Sequence, residues 1–306
     1  MTVYVVPCGV SLLDGLVAKK TRGPSDAKPS ALVRGAADRG HDVRGRADDA
    51  VLAYWLEHAT HAAADAKLVA WDPRVLCAES STLAASSGFG RLRPLLDRDD
   101  TVLVLGSDTD TGIASALHLA QYVAGLDLAD VSYASTAEQT TSASPDVVLN
   151  PGTLTMLRIR GLDPRHASGG FVDAVAGIGQ ALRAAFQVGE DLEVHLTGGF
   201  KATLLYTMAM TELLYSLAPD RVRACYLFEG EDAVLTEIGL RRFSDEECRD
   251  MRDELLAIGA GDQHGGARTF ETIARDVKTG KLNAFGYGYL AVLGDIPPRG
   301  RPGPNG

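Results

Sequence analysis

Short apolar runs alternate with longer segments of helical spacing along most of the chain. Residues 3–6 and 101–105 are almost continuously apolar, which is the pattern of strands buried on both faces of a sheet. Residues 193–196 form a third β-prone run, which stops at two glycines. Segments with helical spacing lie at 113–123, 171–186 and 202–217. This alternation predicts an α/β fold in which helices cover both faces of a mainly parallel sheet.

Weaker patterns predict the remaining elements of this region. Helices are expected at 47–66 and from Cys77 onward, a strand is expected at 147–149, and residues 156–162 are open between strand and loop. Residues 223–228 and 233–236 predict a terminal hairpin across a polar turn. The first strand is expected at the N-terminal edge of the sheet.

The character of the chain changes near residue 244. Ser244 and Glu247 favour a helix start with a capping box, and that helix is expected to end near residue 258. A glycine-rich link then leads to a second helix at 269–277, a strand at 284–293 and a disordered tail at 297–306. The chain therefore divides into a large domain, 1–243, and a small helical module, 244–296. A winged-helix-like fold and a dimerisation element are the two interpretations of this module.

Composition limits the classes of function. The 306 residues carry a net charge of −10, which argues against diffuse binding to long nucleic acid but allows a local positive pocket for a small anion. Hydrophobic residues make up 45% of the chain, enough for a sizeable core, yet no apolar run reaches the roughly 18–20 residues that span a bilayer. Scattered cysteines and a β-prone N-terminus indicate a cytoplasmic protein without disulfides, metal site or signal peptide.

Three of the predicted strands end in loops of small and hydroxyl-bearing residues. These loops contain Cys8, Gly9, Val10 and Ser11; Gly106, Ser107, Asp108 and Thr109; and Thr197, Gly198, Gly199, Phe200 and Lys201. Ligands of open α/β sheets bind at the carboxyl ends of strands, where such loops converge. Backbone amides can approach a ligand closely there, hydroxyls add directional hydrogen bonds, and a lysine at a helix N-terminus suits a phosphate.

Simpler structural interpretations stay open for these loops. Gly198 and Gly199 also fit a tight strand-to-helix turn, and Lys201 fits a solvated position in the first helical turn. The spacing is neither a P-loop nor a dinucleotide fingerprint. A metal pair is one interpretation of Asp108 and Asp110, but capping of the next helix and closure of the turn is the favoured one.

Together the three loops resemble the CRISPR-associated Rossmann-fold (CARF) family. The similarity rests on residues 196–201, 7–13 and 107–109, and residues 160–164 with Phe171 are similar to the central segment of that family. It covers roughly residues 1–240, and Thr-Gly-Gly-Phe-Lys is its most specific part. The resemblance implies a Rossmann-like sheet and a homodimer. Such a dimer binds a cyclic oligoadenylate, the second messenger of type III CRISPR immunity, across its two-fold axis.

Because no effector domain follows the sensor region, the chain looks like a ring nuclease of that family. The sensor pocket of this group cleaves cyclic tetra-adenylate to linear di-adenylate by in-line attack of a ribose 2′-OH, without a metal or cofactor. The resemblance implies catalytic roles for Lys201, which would stabilise the phosphorane or the leaving oxygen, and for Ser11, which would orient the ribose or a phosphate oxygen. The other residues of the three loops would bind the ligand.

Two further functions stay open. A sensor without catalysis would bind the cyclic oligoadenylate and act through residues 244–296 on DNA or on a partner protein. The cations of that module are interspersed with acids, so a solvated helix face is favoured over a DNA surface; they are Arg268, Arg275, Lys278 and Lys281. A nucleotide-binding α/β enzyme unrelated to CRISPR is the third possibility.

Overall fold

The structure is a computed structural model that describes residues 1–9, 77–87, 96, 98–124, 131–134, 149–163, 167–199, 201–228, 234–261 and 271–294. Several expectations lie outside these residues. They are the helix at 47–66, most of the strand at 147–149, the tail at 297–306, and the site residues Val10, Ser11 and Phe200.

The described elements alternate as the sequence predicts. The strands are β1 (Thr2–Cys8), β2 (Thr101–Ser107), β3 (Val131–Ala134), β4 (Leu154–Ile159), β5 (Asp191–His195), β6 (Val222–Phe228) and β7 (Val234–Ile238). The helices are α1 (Ala78–Ser87), α2 (Asp110–Ala124), α3 (Ala167–Val188), α4 (Lys201–Leu217), α5 (Asp245–Gly259), α6 (Glu271–Ala274) and α7 (Ala284–Leu293). Of the segment 156–162, which the sequence left open between strand and loop, residues 156–159 belong to β4 and the rest form a turn.

The seven strands form one sheet in the order β3-β4-β2-β1-β5-β6-β7. Every neighbouring pair is parallel except β6 and β7, which form the antiparallel hairpin expected from the sequence. Since β1 lies between β2 and β5, the expectation that it lies at an edge is wrong. Its apolar side chains explain the central position, because Val3, Val5 and Val6 are all buried.

Helices cover both faces of the sheet, which confirms the predicted Rossmann-like α/β fold. Alternate strand residues, such as Val5, Val194 and Ala224, belong to one hydrophobic core with α3 and α4. The helices α1 and α2 contact the strands from the opposite face. Because each of α2, α3 and α4 follows a strand of the parallel part of the sheet, their N-termini lie at its carboxyl edge.

The C-terminal helices form a further layer on α3 and α4. The helix α7 lies against both, and α5 packs against α7 and α4. The closest approach is between α3 and α7, where a Cβ on Gly179 would lie 2.7 Å from the carbonyl oxygen of Gly288. Buried residues of α5 and α7 belong to the same core as the sheet, so the core continues across the domain boundary expected at residue 243.

Two local expectations in this C-terminal region differ in outcome. The capping box is confirmed, because the Ser244 hydroxyl oxygen accepts a hydrogen bond from the Glu247 amide at 3.2 Å, and Glu247 Oε2 accepts one from the Ser244 amide at 2.7 Å. The strand expected at 284–293 is wrong, because these residues form α7. That segment is apolar on nearly all sides, as suits a helix enclosed by its neighbours.

A buried polar cluster ties β5 to β6 and to α1. Glu193 Oε1 lies 2.8 Å from His195 Nε2, and Glu193 Oε2 accepts a hydrogen bond from Arg223 Nε at 2.6 Å. The hydroxyl of Ser86 in α1 lies 3.2 Å from the same ring nitrogen of His195. Burial acts to raise the pKa of Glu193, but the interactions with His195 and Arg223 outweigh it and lower the pKa to about 2.

This lowered pKa predicts a specific acid sensitivity. The contribution of Glu193 to stability is complete above the pKa of an ordinary glutamate, about 4.5, and is lost as the pH falls toward 2. Between pH 6 and pH 3 the wild type should lose about 2 kcal/mol of unfolding free energy through this group. Chemical denaturation of Glu193→Gln should show an unfolding free energy that falls less between pH 6 and pH 3, by about 2 kcal/mol, than that of the wild type.

The exposed Glu237 of β7 provides the control. The variant Glu237→Gln should keep the pH dependence of the wild type. Equal pH profiles for wild type and Glu193→Gln would contradict the assignment.

Candidate functional site

The three loops predicted from the sequence lie at one edge of the sheet. They follow β2, β1 and β5, which are neighbours and run parallel, so their carboxyl ends are adjacent. The chain leaves β1 toward β2 on one side, whereas β5 continues to β6 on the other side. This reversal of direction is a topological switch point, the position where open α/β sheets bind ligands.

The loops after β1 and β5 touch through their backbones. A Cβ on Gly9 would lie 3.2 Å from the carbonyl oxygen of Gly199. Gly199 itself has a φ of +89°, and a Cβ there would lie 2.6 Å from Cβ of Pro7. Glycine is therefore required at residue 199 both by its left-handed backbone and by the close approach of β1.

A buried glutamate of α1 joins these two loops. Glu79 Oε1 accepts hydrogen bonds from the Gly9 amide at 2.8 Å and from the Gly199 amide at 3.3 Å. The side chain is only 1% exposed, and a Cβ on Gly198 would lie 2.6 Å from its Cδ. The amides of Gly9 and Gly199, which the sequence offered as donors to a ligand, are thus bound to an internal carboxylate.

The loop after β2 is closed by hydroxyl groups. The Thr109 hydroxyl oxygen accepts a hydrogen bond from the Gly112 amide at 3.0 Å, which caps the first turn of α2. Ser107 Oγ lies 3.0 Å from Thr109 Oγ1. The hydroxyls of this loop therefore bond to each other and to the start of α2.

Asp108 has a different role from the two that the sequence suggested. Its Oδ1 accepts hydrogen bonds from Arg158 Nε at 2.7 Å and from Arg158 Nη2 at 2.6 Å, and its Oδ2 accepts one from the Gly161 amide at 2.8 Å. Asp108 is buried, so this ion pair is internal. It joins the loops after β2 and β4, and the cap of α2 is provided by Thr109 instead.

Cys8 and Thr197 also make internal contacts. Burial, together with the carboxylate of Glu79, raises the pKa of the Cys8 thiol, so this side chain is a neutral packing group. The thiol lies 3.8 Å from Ser115 Oγ, and that hydroxyl donates to the Gly9 carbonyl oxygen at 2.6 Å. Thr197 Oγ1 accepts a hydrogen bond from the Leu227 amide at 2.7 Å, which leaves the hydroxyl of Thr197 its own hydrogen to donate.

Lys201 is the residue of the three loops whose charge faces solvent. It is the first residue of α4, follows the Gly199 turn by two positions, and is exposed. The N-terminus of α4 and the lysine ammonium place positive charge next to the switch point. This pairing can hold a phosphate.

The structure thus brings together the described members of the predicted site, and divides them into two groups. Lys201 and Thr197 can contact a ligand, whereas Cys8, Gly9, Asp108 and Gly199 hold the loops in place. Glu79 was missed by the sequence analysis, since an acid in the first turn of a helix is common and no motif marks it. Its only signal is its position in an otherwise uncharged segment, 77–87.

Comparison with known proteins does not assign the chain to a family. No protein-family model matches the chain, and no curated protein matches it. Among the described residues, no group of three or more histidine, cysteine, aspartate or glutamate side chains could hold a metal ion. None of the described helices is both long and apolar enough to cross a membrane.

The bridge made by Glu79 predicts an ordered pair of stability changes. Glu79→Ala should lower the free energy of unfolding by about 2–4 kcal/mol, because two partly buried amides lose their acceptor. Glu79→Gln should cost less than half of that, because its amide oxygen can still accept from Gly9 and Gly199. Urea denaturation of both variants measures the difference.

Glu237→Ala, on the exposed face of β7, is the matched control and should stay within about 0.5 kcal/mol of the wild type. Equal losses for Glu79→Gln and Glu79→Ala would contradict a bridging role for the carboxylate oxygen.

Proposed function

We propose that the protein is a ring nuclease that binds a cyclic oligoadenylate, with cyclic tetra-adenylate as the expected ring, and cleaves it. The observation that carries this proposal is the exposed Lys201 at the N-terminus of α4, beside the switch point between β1 and β5. The resemblance of the three loops to the CARF family supports the same ligand. The net charge of −10 argues against binding of long nucleic acid, but a small phosphate ester needs only a local positive site.

The proposed reaction is an in-line transfer within the ring. A ribose 2′ oxygen attacks the neighbouring phosphorus, the bond from phosphorus to the 5′ oxygen breaks, and the hydroxyl proton ends on that 5′ oxygen. The products carry a 2′,3′-cyclic phosphate and a 5′-OH. Two cleavages convert one cyclic tetra-adenylate into two linear di-adenylates. Positioning of the attacking and leaving oxygens and stabilisation of the charge that develops on them both lower the barrier of such a reaction.

Three described residues have a place in this reaction. The Lys201 ammonium would stabilise negative charge on the phosphorane or on the leaving oxygen. The Thr197 hydroxyl would donate to a phosphate or ribose oxygen. Glu79 would keep the loops after β1 and β5 in register with each other. Ser11, outside the described residues, keeps the orienting role that the resemblance implies.

A homodimer would match a ring that has two-fold symmetry. Isologous pairing at the carboxyl edge would present two copies of Lys201 to opposite sides of one ring. Leu205, one helical turn after Lys201, is 72% exposed. A second copy of the chain packed on this edge would bury it.

A sensor that binds the ring without cleaving it is the second candidate. One observation favours it: the amides of Gly9 and Gly199 donate to Glu79, so these two groups do not stabilise a phosphorane. The sensor would signal through the C-terminal helices to DNA or to a partner protein. The two candidates share the ligand and differ in turnover.

Incubation of the purified protein with cyclic tetra-adenylate in EDTA tests both candidates. A ring nuclease should yield linear di-adenylate, and Lys201→Ala should slow single-turnover cleavage by about 10²- to 10³-fold, as removal of a charge-stabilising donor does. Ser11→Ala should also slow it. Lys278→Ala, at an exposed turn outside the site, should cleave at the wild-type rate.

Binding of the labelled ring separates the two candidates. Tight binding with an intact ring after prolonged incubation would favour the sensor. Absence of binding would contradict both. Whether or not the bound ring is cleaved, Lys201→Ala should reduce the slope of log affinity against log salt concentration by about 1.

A further inference from the structure

An exposed apolar pair lies at the carboxyl end of the β6–β7 hairpin. Phe228 ends β6 and is 61% exposed, and its direct cross-strand partner Val234 begins β7 and is 57% exposed. Single exposed apolar residues are ordinary on protein surfaces. Here two of them lie side by side, one is aromatic, and both are at the edge of the sheet that holds the candidate site.

The ring of Phe228 is supported from behind. Tyr226 lies on the same face of β6, and the two ring centroids are 5.3 Å apart with an interplanar angle of 79°. Tyr226 is itself half-buried against the core. Edge-to-face packing of this kind restrains the exposed ring while leaving it open to solvent.

Phe228 also lies close to the anion-binding groups. The Leu227 amide donates to Thr197 Oγ1 at 2.7 Å, so the end of β6 lies directly beside the loop after β5. Phe228 is the next residue, and adjacent strands are separated by about 4.8 Å. Ala224, which shares the face of Phe228 by strand alternation, belongs to the core formed with α4, the helix that begins at Lys201.

We infer that Phe228 is the base-stacking residue of the site, with one adenine of the bound oligoadenylate lying on its ring. The inference rests on the proposed function. A nucleotide carries a flat aromatic base next to its phosphate, so a phosphate at Lys201 and Thr197 brings a base to the end of the neighbouring strand. Val234 extends the apolar surface under the base. Aromatic side chains bind bases in this way with little dependence on sequence.

Equilibrium binding of fluorescently labelled cyclic tetra-adenylate tests this assignment. Phe228→Leu keeps an apolar side chain but removes the stacking face, and should weaken binding by about 5- to 100-fold. Phe228→Trp should bind within about twofold of the wild type or more tightly, since it keeps an aromatic face. Both variants should keep the wild-type salt dependence, because the phosphate contacts are unchanged.

The matched control is Phe243→Leu. The Phe243 amide donates to Ser216 Oγ at 2.9 Å, near the C-terminal end of α4, so this phenylalanine lies at the opposite edge of the sheet from Lys201. The control variant should bind the ring like the wild type. Thermal denaturation and light scattering on all variants check folding and oligomeric state.

The binding results either support or overturn the stacking role of Phe228. Affinity lost in Phe228→Leu and kept in Phe228→Trp supports the stacking role. Affinity kept in Phe228→Leu while the wild type binds overturns this inference alone. Dissociation of a wild-type dimer by Phe228→Leu also overturns it, and assigns the surface to a contact between subunits. A wild type that does not bind the ring overturns the proposed function and this inference together.

Discussion

The site depends on one carboxylate oxygen that two backbone amides share. Glu79 Oε1 joins the loops after β1 and β5, the two loops that meet at the switch point, and does so almost completely shielded from water. A buried carboxylate is stable only where hydrogen bonds replace its hydration, and the amides of Gly9 and Gly199 provide them. The glycine turn that looked like a phosphate cradle is thus first of all a binding site for the chain's own side chain.

At the carboxyl edge of the sheet, buried acids and exposed cations occupy different depths. The described acids lie inside: Glu79 is bonded to backbone, Asp108 is paired with Arg158, and Asp163 is buried. Two cations at this edge, Arg160 and Lys201, are exposed. Buried acids and exposed cations thus lie together at this edge, on a chain that is acidic as a whole.

Sequence patterns predicted the elements well where one local signal was sufficient. The apolar runs of β1 and β2, the hairpin and the capped start at Ser244 all depend on neighbours along the chain. The order of strands could not be predicted, because it is decided by contacts across the sheet. The aromatic residues of 284–293 favour a strand locally, whereas this segment forms the helix α7 and packs closely against Gly179 of α3. Glu79 and Arg158 carry no motif, and their roles arise only from the fold.

The packing of α7 against α3 has a consequence for how the protein can be divided. An added side chain on Gly288 would lie 2.9 Å from both Met210 of α4 and Val175 of α3, so α7 fills the groove between those helices. Cutting the chain after residue 243 would uncover that groove and leave the core open. The described residues 244–261 and 271–294 therefore pack on the same core as the sheet, and α7 and α5 both lie against the helix that begins at Lys201.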